Sequence, residues 1–235
     1  MGESWYRQEY CCSFEALEGL VYTDFAQCVV QANPPNGGRW VGGMDFGLRN
    51  PFAAIWGILD RDDVLWIFGE HYSRERTLAH HVQRLPKGVL WHGDPQGARE
   101  MVELRSAGVL VRKGENDVPT GIQAVRSRLE TGRLKILSGT CPNLLWEAGL
   151  YRYDPDEASE RPIKENDHAL DALRYLISSI DKRRLGFFCK KLGPLPPEPP
   201  PAAPVQPSAV PAPPAKPKQN KWLSIYNERL WTRLS

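Results

Sequence analysis

The chain has 235 residues, 41% of them hydrophobic, and a formal net charge of +2 at pH 7. That length and apolar content are enough for one substantial domain with a tail. Because the overall charge is nearly neutral, composition argues neither for nor against a nucleic-acid partner, and only a local cluster of cations would indicate one.

The cysteines and the N-terminal sequence narrow the class of protein further. The five cysteines form no CxxC pair, which offers no zinc site and is typical of a reducing compartment. The first 20 residues carry charges and contain no apolar signal-peptide core. No run reaches the ~18 apolar residues that a membrane span needs. We therefore expect a soluble intracellular protein.

Residues 1–38 are aromatic and acidic without a clear period, and they end in a Pro-Pro-Asn-Gly-Gly cluster. Such a cluster breaks the chain, so we predict a linker segment over residues 1–38 and a domain boundary after it. Residues 39–46, 52–59 and 64–70 follow as three runs rich in Val, Ile, Trp and Phe, separated by short turns. This pattern predicts a three-stranded antiparallel meander.

Helices and strands alternate after the meander. The pattern predicts helices at residues 75–85, 97–107, 120–130, 142–150 and 166–180, and strands at residues 89–92, 109–112 and 133–137. A meander that leads into βαβ units indicates an α/β domain over residues 39–185, in which helices flank a mixed central sheet of antiparallel and parallel strands.

The C-terminal region has a different composition. More than half of the 21 prolines lie in residues 186–220, which we predict to be an extended linker. In residues 221–235 an apolar side chain recurs every four residues, as expected of a short amphipathic helix. Either this helix docks in a partner's groove or the tail has no role; the sequence leaves both open.

Three aspartates stand out by position. Asp45 follows an apolar run and is bracketed by glycines, and Asp94 ends a short apolar strand before a Gly/Pro turn. Asp171 lies on the last helix, with Asp167 and His168 four and three residues before it on the same face. Each also has an ordinary interpretation: a turn former for Asp94, a helix cap for Asp167 and a surface histidine for His168.

Three carboxylates from three separate elements fit a divalent metal site. Mg²⁺ and Mn²⁺ prefer oxygen ligands, and two such ions ~4 Å apart can activate water and stabilise the leaving oxygen of a phosphodiester. Asp45 would bridge the ions, Asp94 and Asp171 would flank them, and His168 would be a ligand, a proton carrier or an orienting residue.

One geometric question stays open at this point. The apolar positions of the last helix form a stripe, and Asp171 projects from roughly the opposite side. A helix buried only along that stripe would point Asp171 at solvent, away from Asp45. Periodicity cannot decide between these arrangements.

Three motifs together resemble a known family. They are Gly-Met-Asp-Phe-Gly at residues 43–47 with Asn50-Pro51, Gly-Asp-Pro at 93–95, and Asn-Asp-His-Ala-Leu-Asp-Ala-Leu-Arg-Tyr at 166–175. In this order they resemble the nuclease domain of the large terminase subunit of tailed phages, which has an RNase H-like fold related to Holliday-junction resolvases and retroviral integrases. The resemblance implies that Asp45, Asp94 and Asp171 are catalytic metal ligands with His168 beside them, and that Asp167 is a cap or an outer acid.

The resemblance also implies cofactors and partners. It implies Mg²⁺ or Mn²⁺ as two ions, double-stranded DNA as substrate, and the terminase ATPase domain, the small subunit and the portal as partners, the portal through residues 221–235. The host cytoplasm would be the location, with no membrane contact. The GxxxxGK[ST] loop of the terminase motor is missing, so we expect no ATP site in this chain, which would be an excised domain or a split gene product.

DNA contact requires cations near the metals. The candidates for phosphate contacts are Arg112, Lys113, Arg126, Arg128 and Lys164, with Arg133, Lys135 and Arg161 as further surface cations. Arg112 and Lys113 could belong to a loop that grips the duplex. Glu70 could be a fourth acid, although a solvent-facing edge residue is the favoured interpretation.

The sequence therefore predicts an RNase H-like, metal-dependent endodeoxyribonuclease that cleaves concatemeric viral DNA during genome packaging. One alternative is a junction resolvase on the same fold. Another is a module that docks DNA or the portal without catalysis.

Overall fold

The computed structural model describes residues 19–47, 49–155 and 161–192, with side chains as far as Arg184. A 3₁₀ turn at Phe25–Cys28 precedes the first strand. The strands are β1 (Val29–Val30), β2 (Arg39–Asp45), β3 (Phe52–Leu59), β4 (Leu65–Ser73), β5 (Leu90–Gly93), β6 (Val111–Lys113) and β7 (Leu134–Leu137). The helices are α1 (Leu78–Val82), α2 (Ala98–Ser106), α3 (Val118–Glu130), α4 (Pro142–Leu150) and α5 (His168–Leu192).

The seven strands form one mixed sheet in the order β1-β7-β4-β3-β2-β5-β6. Strands β2, β3 and β4 are antiparallel neighbours, as the three apolar runs predict. Strands β5 and β6 extend the sheet parallel to β2, and β7 and β1 extend it parallel to β4. The predicted fold class, a mixed sheet flanked by helices, is confirmed.

Helix α5 lies across the middle of the sheet and is buried nearly all round. It contacts β2, β3 and β5 and is flanked by α3 and α4. Between Ala169 and Ile180 only Asp171 is not buried. Because the helix is enclosed on several sides, the apolar stripe does not define its only covered face, and the side that bears Asp171 is also inside the protein.

The close approach of α5 to the sheet depends on Gly43. A Cβ atom at Gly43 would lie 1.9 Å from the backbone oxygen of Ala172. No other residue type fits at this position without moving the helix, which gives a packing reason for the glycines beside Asp45.

A second apolar core covers the opposite face of the sheet. Met44, Phe52 and Trp91 point to this side and pack with Leu104 of α2. Since side chains alternate along β2, Met44 belongs to this core while Asp45 faces α5. The alternation thus sets Asp45 on the helix side of the sheet edge.

Residues 20–30 belong to the domain, contrary to the predicted boundary after residue 38. Val21, Phe25 and Cys28 are buried in the core on the α5 face. Strand β1 pairs with β7. The Pro/Gly cluster is therefore a connection inside the domain: composition detects the chain break but not that the segment before it returns to the sheet.

Two helices differ from their predicted bounds by more than two residues at an end. Helix α1 begins only at Leu78, because Glu75 has a positive φ of 53° and Thr77 caps the helix by accepting from the His80 amide. Helix α5 continues to Leu192, beyond residue 180 and into the predicted linker. The remainder of that linker and the helix predicted at 221–235 lie outside the described residues. Among the described helices, none is long and apolar enough to cross a membrane.

Candidate active site

Acidic side chains from three parts of the chain line one cavity. Asp45 ends β2 and Asp94 follows β5, and the Asp94 amide donates to the Met44 carbonyl at 3.0 Å, which ties the two strand ends together. Helix α5 begins above this edge. The wall of the resulting cavity of about 890 Å³ includes Asp45, Asp94, Asp167, His168 and Asp171.

Asp45 and His168 form a direct contact. His168 Nδ1 lies 2.9 Å from Asp45 Oδ2. Burial is the main cause that raises the pKa of Asp45, and the charges of Asp171 and Asp94 raise it further, against the lowering effect of the His168 hydrogen bond. The same hydrogen bond is the main cause of the raised pKa of His168. The pair is therefore coupled, and a cation near Asp45 would relieve the repulsion among the acids.

Asp171 is held by Arg174, one turn further along α5. Its Oδ1 accepts from Arg174 Nε at 3.1 Å and from Nη2 at 2.8 Å. Arg174 itself is only 2% exposed, and its guanidinium lies over the Tyr175 ring. The buried guanidinium thus fixes Asp171 by one oxygen, while the residue remains part of the cavity wall.

The turn before α5 places Asp167 inside the cavity. Asn166 adopts a positive φ of 52°, a conformation that asparagine tolerates better than most residues. The Asp167 carbonyl then accepts from the Asp171 amide at 2.7 Å, the first bond of the helix. Burial, followed by the charge of Asp171, raises the pKa of Asp167 to about 6. Asp167 is thus more than a surface cap, since its carboxylate shares the cavity with the other acids.

The acids line one cavity, but their side chains are not arranged as the complete coordination shell of a metal ion. Among the residues that the structure describes, no three His, Cys, Asp or Glu side chains are grouped so that they could hold one metal ion. The oxygen-rich donor set and the mutual repulsion of its buried carboxylates nevertheless fit Mg²⁺ or Mn²⁺.

Glu147 supports the start of α5, and the sequence did not single it out. This α4 residue is fully buried, and its Oε2 accepts from the amides of Ala169 at 2.7 Å and Leu170 at 3.1 Å. Its Oε1 accepts from the Tyr72 hydroxyl at 2.8 Å. Glu147 therefore satisfies amides in the first turn of the helix that carries His168 and Asp171. An acid inside an otherwise apolar helix was the one available signal.

Glu147→Gln is expected to become more stable relative to the wild type as the pH rises. Burial raises the pKa of Glu147 to about 7, against 4.5 in the absence of the fold. Its protonated form is therefore favoured in the folded state, and the wild type loses stability as the pH rises through that interval, by up to about 3 kcal/mol. Glutamine keeps an acceptor for both amides but does not titrate.

The measurement is urea unfolding of both proteins at about pH 5 and about pH 8. The acids of the cavity are present in both proteins, so their titration largely cancels in the difference. Glu147→Ala is the matched variant, which does not titrate either; it should be less stable than Glu147→Gln by about 2–4 kcal/mol at both pH values because the amides lose their acceptor. A Gln variant with the same stability difference at both pH values would contradict the expectation.

Besides Arg174, three cations belong to the cavity wall. Lys164 was predicted from the sequence, whereas Arg49 and Arg74 were not. Arg49 directly precedes the Asn-Pro motif and could have been noticed there, but Arg74, just past the end of β4, carried no sequence signal. Together they supply positive charge beside the acids.

The other predicted DNA-binding cations lie elsewhere. Arg112 and Lys113 are exposed on β6, so they belong to an edge strand rather than a loop. Arg126 donates to the Val21 carbonyl at 3.0 and 2.8 Å and holds the N-terminal segment. Arg128 is 2% exposed and pairs with Asp181 at 2.5 Å and Asp63 at 3.3 Å.

These contacts correct the prediction for Arg126 and Arg128, whose guanidinium groups are used within the protein. Arg133 also pairs with Asp63, at 3.1 Å. Lys135 is half-buried on β7, and Arg161 is exposed.

Glu70 is neither a fourth cavity acid nor an edge residue. Strand β4 lies between β3 and β7. The Glu70 carboxylate accepts from the backbone amides of Asn143 at 2.9 Å and Leu144 at 3.1 Å. It therefore caps α4, the helix that bears Glu147.

The sheet and its flanking helices define an RNase H-like fold, with an acid-lined cavity at the strand ends. Solved structures with the same fold include large terminases and their nuclease domains. A large terminase from a thermophilic bacteriophage matches at 24% identity and a TM-score of 0.62, over 69% of this chain and 46% of that one. The P22 large terminase nuclease domain matches at 22% identity and a TM-score of 0.59, over 72% of this chain and 94% of that one.

A third match is the large terminase nuclease of the thermophilic phage G20c, solved with bound magnesium, at 16% identity and a TM-score of 0.55 over 68% of this chain and 97% of that one. The chain thus corresponds to almost all of the two isolated nuclease domains but to less than half of the first large terminase. No protein-family profile and no curated protein matches the chain. At these identities the likeness establishes the fold.

Proposed function

We propose that this protein is a metal-dependent endonuclease that cleaves double-stranded DNA, in the manner of a terminase nuclease during genome packaging. The observation that carries the proposal is the convergence of Asp45, Asp94, Asp167 and Asp171 with His168 on one cavity. The G20c terminase nuclease, which has the same fold, has been solved with bound magnesium. The acids come from separate elements, which is how a site for hard divalent cations is assembled.

Asp45, Asp94 and Asp171 would hold Mg²⁺ or Mn²⁺, with Asp167 as an outer acid. When bound, such ions supply an activated water and stabilise the leaving oxygen of a phosphodiester. His168 orients the Asp45 carboxylate through the 2.9 Å hydrogen bond. Arg174 holds one oxygen of Asp171 in place.

The cavity cations would bind the substrate. Arg49, Arg74 and Lys164 lie in the same wall as the acids. Cations at such a place contact backbone phosphates without reading the base sequence. Further parts of a packaging machine, namely an ATPase motor, a small subunit and a portal, would present the DNA in the host cytoplasm.

Plasmid cleavage tests the proposal. The whole chain is expected to nick and linearise supercoiled plasmid with Mn²⁺ or Mg²⁺ and to be inactive in EDTA, since the acids alone supply no activated water. No cleavage with any divalent cation would overturn the enzyme proposal and leave a docking module. Preference for a four-way junction over a linear duplex of the same sequence would instead identify a resolvase.

A further inference from the structure

Three arginines outside the acid cavity gather on the α5 face of the sheet. Arg39 begins β2, Arg112 lies on β6, and Arg183 lies on α5. The register pairs Arg112 with His92, and His92 with Gly43. Because register partners point to the same side of a sheet, Arg112 and His92 share the face on which α5 packs over Gly43. Arg39 is four residues before Gly43, so it points to that face too.

Helix α5 brings the third arginine to this group. Ser179 and Arg183 follow Tyr175 at intervals of four residues, so all three lie along one side of the helix. A Cβ at Gly114, the residue after β6, would touch the Tyr175 side chain, which shows that this side faces the β6 edge. Partial burial and then the charges of Arg112 and Arg39 lower the pKa of Arg183. The Arg183 charge therefore lies within electrostatic range of both Arg112 and Arg39.

Nothing in the described part of the chain neutralises these charges. Arg39, Arg112 and Arg183 are exposed, and none of them forms an ion pair with a described carboxylate. The nearest acid after β6, Glu115, forms an ion pair with Lys182 instead, with Oε1 2.9 Å from Nζ. Like charges held together without a counter-charge are unfavourable unless an anion binds them.

Two buried polar atoms beside the arginines also lack a partner. His92 is 1% exposed and Ser179 is 5% exposed, and neither His92 Nδ1 nor Ser179 Oγ makes a hydrogen bond. Such atoms are rare in folded proteins and are usually satisfied by a ligand or an ordered water. His92 is the register partner of Arg112 in the sheet, and Ser179 lies one helical turn before Arg183.

We propose that Arg39, Arg112 and Arg183 form a second binding site for the phosphates of a DNA backbone, separate from the acid cavity. Arg39 and Asp45 are six positions apart along β2, a span of about 20 Å in an extended strand. That span corresponds to about six base pairs of duplex. One duplex can therefore reach both sites, and the cluster would set its direction across the sheet. This inference rests on the proposed function only in its choice of DNA as the ligand.

The test is equilibrium binding of the whole chain to a fluorescent linear duplex, in EDTA, over a range of salt concentrations. The triple variant Arg39→Gln, Arg112→Gln, Arg183→Gln should bind at least about 10-fold more weakly at moderate salt. The slope of log K against log salt should become shallower by two to three, about 0.9 for each lost phosphate contact. Within the part of the chain that the structure describes, none of these side chains forms an ion pair. The variant should therefore remain folded.

The control variant removes the same charge from the opposite face. Arg84→Gln, Lys87→Gln, Arg99→Gln alters three exposed cations on or beside α1 and α2, and it should bind within about twofold of the wild type. Equal binding by the wild type and the first triple variant, or an equal loss in the control, would overturn the proposal. Because no metal is present, the result is independent of cleavage: loss of binding without any nuclease activity would keep the arginine site and discard only the enzyme.

Discussion

Asp45→Asn is expected to reduce metal-dependent DNA cleavage by at least about 10³-fold. Asp45 is the acid between α5 and the sheet, bonded to His168 and close enough to Asp94 and Asp171 for their charges to raise its pKa. Asparagine keeps an oxygen that can accept from His168 but lacks the negative charge that would hold a divalent cation. Losing several kcal/mol of transition-state stabilisation corresponds to three or more powers of ten in rate.

Initial rates of plasmid nicking with Mn²⁺, together with a urea unfolding curve, measure this effect. The variant should unfold at the wild-type urea concentration or above it, because a buried carboxylate in a repulsive cluster is removed. Asp62→Asn is the matched control: it makes the same charge change at an exposed position in the β3–β4 turn, and it should cut at the wild-type rate. Unchanged cleavage by the Asp45 variant would place the metal chemistry elsewhere.

Gly43→Ala is expected to destabilise the protein by at least about 3 kcal/mol. The added methyl would stand 1.9 Å from the backbone oxygen of Ala172 and 3.1 Å from Leu176 Cβ. A side-chain rotation cannot relieve a clash with backbone, so α5 must move away from β2 and open the core between them. That movement also separates His168 from Asp45, and cleavage should fall together with stability.

Gly149→Ala provides the control for the glycine prediction. Gly149 lies inside α4, and a Cβ there would meet nothing within 4 Å. Alanine should therefore stabilise the protein by up to about 1 kcal/mol through its higher helix propensity. Urea unfolding measures both variants. A Gly43 variant within about 1 kcal/mol of the wild type would mean that α5 does not approach the sheet so closely in solution.

Local patterns were sufficient to predict most of the elements. The meander was predictable because its apolar runs are separated by short turn sequences, and α4 begins and ends at the predicted residues. Where the bounds of an element differ from the prediction, they depend on backbone conformation or on contacts with distant residues, which local patterns do not show. The start of α1 depends on the positive φ at Glu75, and β1 exists because residues 29–30 pair with β7, at residues 136–137.

The orientation of the last helix could not be derived from its periodicity. The apolar stripe indicated one buried face and left Asp171 on the other. In the structure, α3 and α4 flank the helix while the sheet lies beneath it, so the side bearing Asp171 faces a cavity instead of bulk solvent. Burial on several sides is a property of the neighbours, which a single helix does not encode in its own pattern.

For some charged residues the sequence indicated the role, and for others the role depends on tertiary contacts. The sequence alone identified Asp45, Asp94 and Asp171 as candidates, because each stands at the end of an apolar segment or within a recognisable motif. Only the tertiary structure decided that Arg128 is buried against Asp181 and that Glu147 supports the first turn of α5. A charged side chain looks alike in sequence whether it meets solvent, a counter-ion or a helix end, and its partners come from distant parts of the chain.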